Sequence, residues 1–188
     1  MPESHPPPDL AGLSLSDIAA LGAENRLPPV DKWHPAHCGD SHMRIASDGT
    51  WFHEGSPIGR PAMVRLFSTI LRREPDDSYV LVTPAEKLSI LVDDAPFVAV
   101  EMKAEGNGPN RRLAFRLNTG DLVIADAEHP LRVRERADGP HPYVRVRKGL
   151  DALIARSVYY ELVNIALDEG SEPVGIWSAG EFFVLEAQ

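Results

Sequence analysis

Between Met43 and Arg147 the apolar runs of this chain are short, and nearly every one is bounded by Gly, Pro, Asn or Asp. That punctuation confines the polypeptide to brief extended segments joined by tight turns, because these residues break ladders or supply the backbone angles a reversal needs. The first reversal reads Met43-Arg44-Ile45-Ala46, a turn at Ser47-Asp48-Gly49, then Thr50-Trp51-Phe52-His53 before Gly55. Asp-Gly between two such runs marks a hairpin in which both turn positions take positive φ. The same reading places strands at Tyr79–Val82, Leu88–Val92, Phe97–Lys103, Arg112–Leu117, Asp121–Ala125, Leu131–Glu135 and Tyr143–Arg147. A closing hairpin follows, Val174-Gly175-Ile176-Trp177, a turn at Ser178-Ala179-Gly180, and Phe182-Phe183-Val184-Leu185.

Helical periodicity interrupts this meander. Gly59 and Pro61 open a helix expected to run through Arg73, with Met63, Leu66, Phe67, Ile70 and Leu71 on one face and Arg72 and Arg73 at its negative end. A longer helix is expected from Leu150 to Asp168, striped by Leu150, Leu153, Ile154, Val158, Leu162 and Ile165 and stopped by Gly170. Thr83-Pro84-Ala85-Glu86 has the cap, proline and glutamate of a single helical turn. Near the start, Ser14 to Gly22 reads as a short helix after a proline-rich tail, and Leu27 to Asp40 as extended or irregular.

The fold class is therefore α+β, mostly antiparallel sheet with two main helices. The first hairpin, Ile45 to Phe52, can be set beside Ile176 to Phe183, with Leu117-Asn118-Thr119-Gly120-Asp121-Leu122 as a looser third copy. Either tight hairpins simply share glycine for geometric reasons or the chain is duplicated. Its length and strand-to-helix rhythm favour two related halves: 1–26 as tail and short helix, 27–92 as the first half, 93–188 as a second, strand-rich half with the long helix.

Charge narrows the partners. A formal net charge of −9 argues against generic DNA or RNA binding and against anionic membranes, since both rest on excess Lys and Arg. A single cysteine, Cys38, allows no internal disulfide, and the N-terminus lacks the features of a signal peptide, so a reducing cytoplasm is the expected compartment. No apolar run approaches the roughly 20 residues that cross a bilayer. Against this acidic background, residues 111–156 carry ten Lys and Arg against six Asp and Glu, a basic island.

Over nearly all of its length after the tail the chain resembles a bacterial domain-of-unknown-function family, the one numbered 1285. The resemblance rests on Pro29-Val30-Asp31-Lys32-Trp33, Cys38-Gly39-Asp40, the runs Arg44-Ile45 to Thr50-Trp51-Phe52 and Pro57-Ile58-Gly59-Arg60-Pro61, Leu66-Phe67, Val82 to Lys87, Ala95-Pro96-Phe97 and Trp177-Ser178-Ala179-Gly180. It implies a duplicated core, a C-terminal half loosely like pleckstrin-homology domains, and a ligand site at the junction of the halves, for a nucleotide-like molecule in signalling.

No catalytic motif is present. His34, His37, Cys38, Asp40 and His42 have the side chains of a metal site but lack ligand spacing, so no metal or other cofactor is expected there. Ser178 lacks the leading glycine of a nucleophile elbow. Asp93 and Asp94 point to opposite faces if extended, which suits turn residues better than an acid/base couple.

The basic island is the best lead. Arg132, Arg134 and Arg136 alternate on one strand and Arg145 and Arg147 on the next, so pairing of the two strands puts them on one face. Stacked like charges destabilise a sheet unless neutralised, and guanidinium forks match phosphate and carboxylate oxygens. The competing reading is that carboxylates elsewhere in the chain, or solvent, neutralise the ladder. Arg60 at a helix start suits an anion or pairs with Glu54 or Glu86; Arg156 and Tyr160 share a helix face with Asn164. Arg60, Glu86, Arg132 and Arg134, with Arg145, Arg147, Arg156 and Tyr160, are the candidate ligand-binding residues. The expected function is a non-enzymatic sensor or adaptor for a small anionic ligand. Its alternatives are a protein-interaction scaffold and a metal-dependent hydrolase.

Overall fold

The computed structural model describes residues 27–187, with Ser14 ahead of them, so the expected helix from Ser14 to Gly22 lies outside the described residues. A 3-10 turn at Val30–Lys32 leads into β1 (His37–Ile45), β2 (Trp51–His53), β3 (Ser56–Pro57), α1 (Pro61–Thr69), β4 (Leu71–Arg73), β5 (Tyr79–Val82) and β6 (Glu86–Val92). The second half holds β7 (Phe97–Glu105), β8 (Arg112–Leu117), β9 (Leu122–Ile124), β10 (Leu131–Arg136), β11 (Gly139–Arg147), β12 (Leu150–Ile154), α2 (Arg156–Glu169), β13 (Gly175–Ser178) and β14 (Glu181–Val184).

The duplication is visible in the strand order. The first sheet runs β3-β2-β1-β6-β5-β4 and the second, read from its other edge, β9-β8-β7-β12-β11-β10. Each is a pair of antiparallel three-strand meanders joined at their innermost strands, and in each that central pairing is parallel, β1 with β6 and β12 with β7. The hairpins whose sequences look alike are not the equivalent ones. Matched in chain order, β1–β2 corresponds to β7–β8, whereas the Leu117 to Asp121 turn joins β8 to β9 and the closing hairpin forms a separate two-stranded sheet. Turn chemistry, not descent from a common half, makes those three segments similar.

Two expected helices begin or end elsewhere, for one reason. Leu71–Arg73 leaves the helix to pair with Tyr79–Leu81, and Leu150–Ile154 precedes its helix as the central strand of the second sheet. A short apolar run such as Leu150–Ile154, with Leu150, Ala152 and Ile154 in the core, fits a buried strand as well as a helix stripe, and sheet pairing decides. Arg72 and Arg73 are consequently strand residues. Thr83 to Glu86 forms a reversal rather than a helical turn, with the Thr83 hydroxyl accepting from the backbone N–H of Ala85 and Glu86 at 3.3 and 3.1 Å. Of the stretch read as extended or irregular, His37–Asp40 is extended and belongs to β1. In the Asp48-Gly49 hairpin Gly49 takes φ +87° while Asp48 does not, so three residues close the turn. The positive pair of φ values appears in the closing hairpin, at Ala179 and Gly180.

One core runs through both halves. Ile45, Trp51, Leu71 and Ile90 of the first join Phe97, Phe115, Leu117, Leu150 and Leu162 of the second. The linker is fastened in both directions: Asp93 holds Arg44 of β1, while the nearly buried Asp94 accepts from Arg136 at 2.6 Å and from the Tyr143 hydroxyl at 2.7 Å. The two adjacent carboxylates sit in the bend between β6 and β7, which sends one to the first half and the other to the second. Arg44 keeps Asp93 ionised below the usual carboxylate range.

The closing hairpin is clipped to the second sheet by a buried hydroxyl. Ser178 Oγ donates to the Ala125 carbonyl at 2.6 Å and accepts from Leu113 N–H at 3.0 Å, which fully employs this side chain in structure. Beside it the buried Arg111 forms a two-pronged pair with Glu169 at the end of α2, where Gly170 closes the helix at φ +63°.

Ser178→Ala should cost about 2 kcal/mol in urea unfolding, because it strands a buried donor and a buried acceptor together. Arg111 holds the Glu169 carboxyl below its ordinary range, chiefly by hydrogen bonding. That contribution is complete above the ordinary glutamate value and disappears as pH falls through the lower folded-state value. The stability gap between wild type and Glu169→Gln, followed by thermal melts, should therefore be present at about pH 7 and close below about pH 3.

Candidate functional site

The strands carrying the arginines do pair, and they do share a face. Arg132 stands opposite Tyr143, Arg134 opposite His141 and Arg136 opposite Gly139, with Arg145 just past the end of β10. No arginine faces another across the ladder. Carboxylates fill the gaps: Asp151, buried on β12, takes Arg145 Nε and stands 3.7 Å from Arg134, and Asp94 takes Arg136. Arg134 and Arg136 also lie over the Tyr143 ring, whose hydroxyl is pushed up by burial and by the bond to Asp94. The neutralising charges come from the chain itself, as the competing reading had it. Arg132, Arg134 and Arg136 are exposed, and of these three Arg132 makes no ion pair among the described residues.

Arg147 departs from the ladder. It turns into the seam between the halves, donates to the Ser68 carbonyl at the end of α1 and lies 5.3 Å from the centroid of the buried Phe97 ring. Burial lowers its pKa, and its partner is a helix carbonyl rather than an acid.

The arrangement best suited to holding a small molecule lies at the opposite end of α1. A cleft of about 440 Å³ is walled by Trp51, Ile58, Pro61, Val64 and Arg65 from the first half and by Arg116, Asn118 and Thr119 from the second. Two turns meet there. Asn118 Nδ2 donates to the Gly49 carbonyl at 3.2 Å while its Oδ1 accepts from Val98 N–H at 3.0 Å, and Arg65 Nε donates to the Thr119 carbonyl at 3.1 Å. The approach is close: a Cβ on Gly49 would sit 2.6 Å from the Asn118 amide nitrogen. Trp51 is 1% exposed, and its indole N–H is a buried donor with no partner in the structure. Arg116 is paired with Glu101, but Arg65 has no carboxylate partner among the described residues.

Of the sequence candidates, Arg60 is the exposed cap of α1, between Gly59 and Pro61 on the rim of this cleft. Glu86 opens β6 beside His37 and does not meet Arg60. Arg156 and Tyr160 lie on the solvent side of α2 and line no cleft described here. His37, Cys38 and Asp40 are strung along exposed β1, and no group of three His, Cys, Asp or Glu side chains that could hold a metal occurs among the described residues. Sequence reasoning passed over Arg65, Asn118 and Trp51 as site residues. The only hint was the turn chemistry of Gly49 and Asn118, two residues 69 apart along the chain that a hydrogen bond joins.

Fold and site together define a duplicated α+β protein whose halves close over a shared core and part at a polar cleft. The chain belongs to the DUF1285 family: the family's N-terminal domain, described as a domain of unknown function, matches residues 28–95, and its C-terminal domain matches residues 96–185. A crystal structure of a DUF1285 family protein from Silicibacter pomeroyi DSS-3 is 43% identical, with a TM-score of 0.77 over 90% of this chain and 94% of that one. A second, from Shewanella baltica OS155, is 28% identical, with a TM-score of 0.52 over 65% of this chain and 91% of that one. No curated protein matches the chain.

Asp151→Asn should destabilise by about 2 to 4 kcal/mol, because Arg145 then keeps a largely buried charge with no acid beside it. Arg132→Ala should cost no more than about 0.5 kcal/mol. Urea unfolding of both variants checks this; equal effects would show that Asp151 is not the ladder's counterion.

Proposed function

We propose that this protein is a non-enzymatic sensor or adaptor in signalling that binds a small anionic, nucleotide-sized ligand in the cleft at the start of α1. The observation that carries this reading is a cleft that brings Arg65, without a carboxylate partner among the described residues, together with Trp51, whose buried indole N–H has no partner there. A buried donor without an acceptor costs free energy, and an acceptor-rich ligand removes that cost. Arg65 commits one nitrogen to Thr119 and keeps the rest of its fork for an anion. Pro61 at the first position of α1 and the absence of a side-chain cap leave that helix end open to a negative group, with Arg60 adding charge at the rim. The arginine ladder, satisfied by Asp94 and Asp151, becomes the scaffold of the second half rather than the ligand contact.

A cytoplasmic setting and the pleckstrin-homology likeness of the second half belong to the same reading. No helix among the described residues is long and apolar enough to cross a membrane. The scaffold alternative has less behind it, since the most exposed large apolar residues, Leu66, Leu91, Tyr160 and Leu167, are spread over α1, β6 and α2.

A thermal-shift panel of nucleotides, cyclic dinucleotides and sugar phosphates tests the proposal. A ligand of the folded state at a hundred times its dissociation constant adds about 2.7 kcal/mol of stability. Arg65→Gln should weaken a hit by about tenfold or more. A panel without a single shift, or a hit that Arg65→Gln leaves unchanged, would sink the reading.

A further inference from the structure

The seam between the halves opens a second time, beyond the end of α1. Two adjoining clefts of about 540 and 290 Å³, with Asp31, Arg72 and Lys148 lining both, run along this part of the seam as a divided groove, bordered by the Leu27–His34 segment, β4 and the turn between β11 and β12. Its ionic lining is five cations, Lys32, Arg72, Arg73, Arg147 and Lys148, against two carboxylates, Asp31 and Glu74. In a chain of net charge −9 this is a reversal of sign.

Part of that charge is committed to the fold. Arg72 is held by Glu74 at 2.6 Å and by the carbonyls of Val30 and Trp33, and Arg147 is committed to Ser68 and Phe97. Three cations remain loosely held. Lys148 is 86% exposed and 3.9 Å from Asp31, itself 59% exposed, a pair that solvent screens almost entirely. Lys32 has no ion-pair partner among the described residues. Arg73 spends a terminal nitrogen on the exposed Asp77 at 2.9 Å, reaches the Gly149 carbonyl only at 3.5 Å, and keeps a buried Nε with no partner. Gly149, at φ +72°, makes that closeness possible, since a Cβ there would stand 3.0 Å from the Cβ of Arg73.

We propose that this groove is a second ligand site, separate from the Trp51 cleft, for a small molecule bearing a compact multiply charged group of the phosphate-ester or diphosphate kind. Lys32, Arg73 and Lys148 come from separate segments, line these adjoining clefts and have only the exposed Asp31 and Asp77 as acids beside them, so one ligand carrying more than one negative charge satisfies them best. A single carboxylate would leave most of their mutual repulsion in place. Asp31 is the built-in competitor, because a bound anion takes its place beside Lys148. The inference does not rest on the reading of the first cleft.

Titration calorimetry with inorganic pyrophosphate tests it on the full chain. Wild type should bind, Lys148→Glu should weaken binding by about tenfold or more, and Asp31→Asn should tighten it by about threefold or more, while Arg65→Gln leaves it unchanged. Lys148 and Asp31 are exposed, so neither substitution threatens folding. The proposal is overturned if wild type shows no binding at millimolar pyrophosphate. It is equally overturned if Lys148→Glu and Asp31→Asn leave affinity unaltered, or if only Arg65→Gln abolishes binding, which would place the anion in the first cleft.

Discussion

The guanidinium of Arg147 is the contact on which the seam depends. It is carried by the second half, buried, and spent on the last turn of a helix that belongs to the first. Removing a charge from water is costly, and here the offset comes from the Ser68 carbonyl at the negative end of a helix, together with the face of Phe97. The arrangement solves two problems at once, since α1 ends without a basic residue in its own last turn. With that end fixed, the other end is free to form one wall of the Trp51 cleft. Both openings in the seam thus owe their shape to the seating of one short helix.

Polar satisfaction in the second half follows a different rule. The exposed alternation of arginines on β10 gives the sheet a repulsive face unless acids stand among them, and Asp94 and Asp151 do so from outside the strand pair's own hairpin turn. Asp94 comes from the linker, so the same ion pair that quiets the ladder anchors the passage from one half to the next. Electrostatics and domain architecture are here a single feature.

The period-two and turn signals made most strands and the α+β class legible, because each rests on a few neighbouring residues, whereas the duplication was favoured by length and strand-to-helix rhythm and implied by the family likeness. The misassigned ends of the helices fell at Leu71 and Leu150, where apolar residues fit both periodicities and only a distant strand partner chooses. The site was less legible for the same reason carried further. Arg134 and Arg136 are conspicuous in sequence, but whether they are available is decided by Asp151 and Asp94, which no local pattern connects to them. Asn118 and Gly49 are two ordinary turn residues until the fold brings them together, and Trp51 reveals a missing partner only once its surroundings are seen. The general idea of a junction site came from the family likeness, whereas its residues had to come from the structure.

Asp93 and Asp94 give the junction a mechanical character. One grips Arg44 and the other grips Arg136 and Tyr143, from consecutive positions of the bend between β6 and β7. A twist of either half about the linker pulls on both grips together, and neither can be relieved by turning the other. The linker is thus a rivet rather than a hinge, and its two grips oppose a relative turn of the halves.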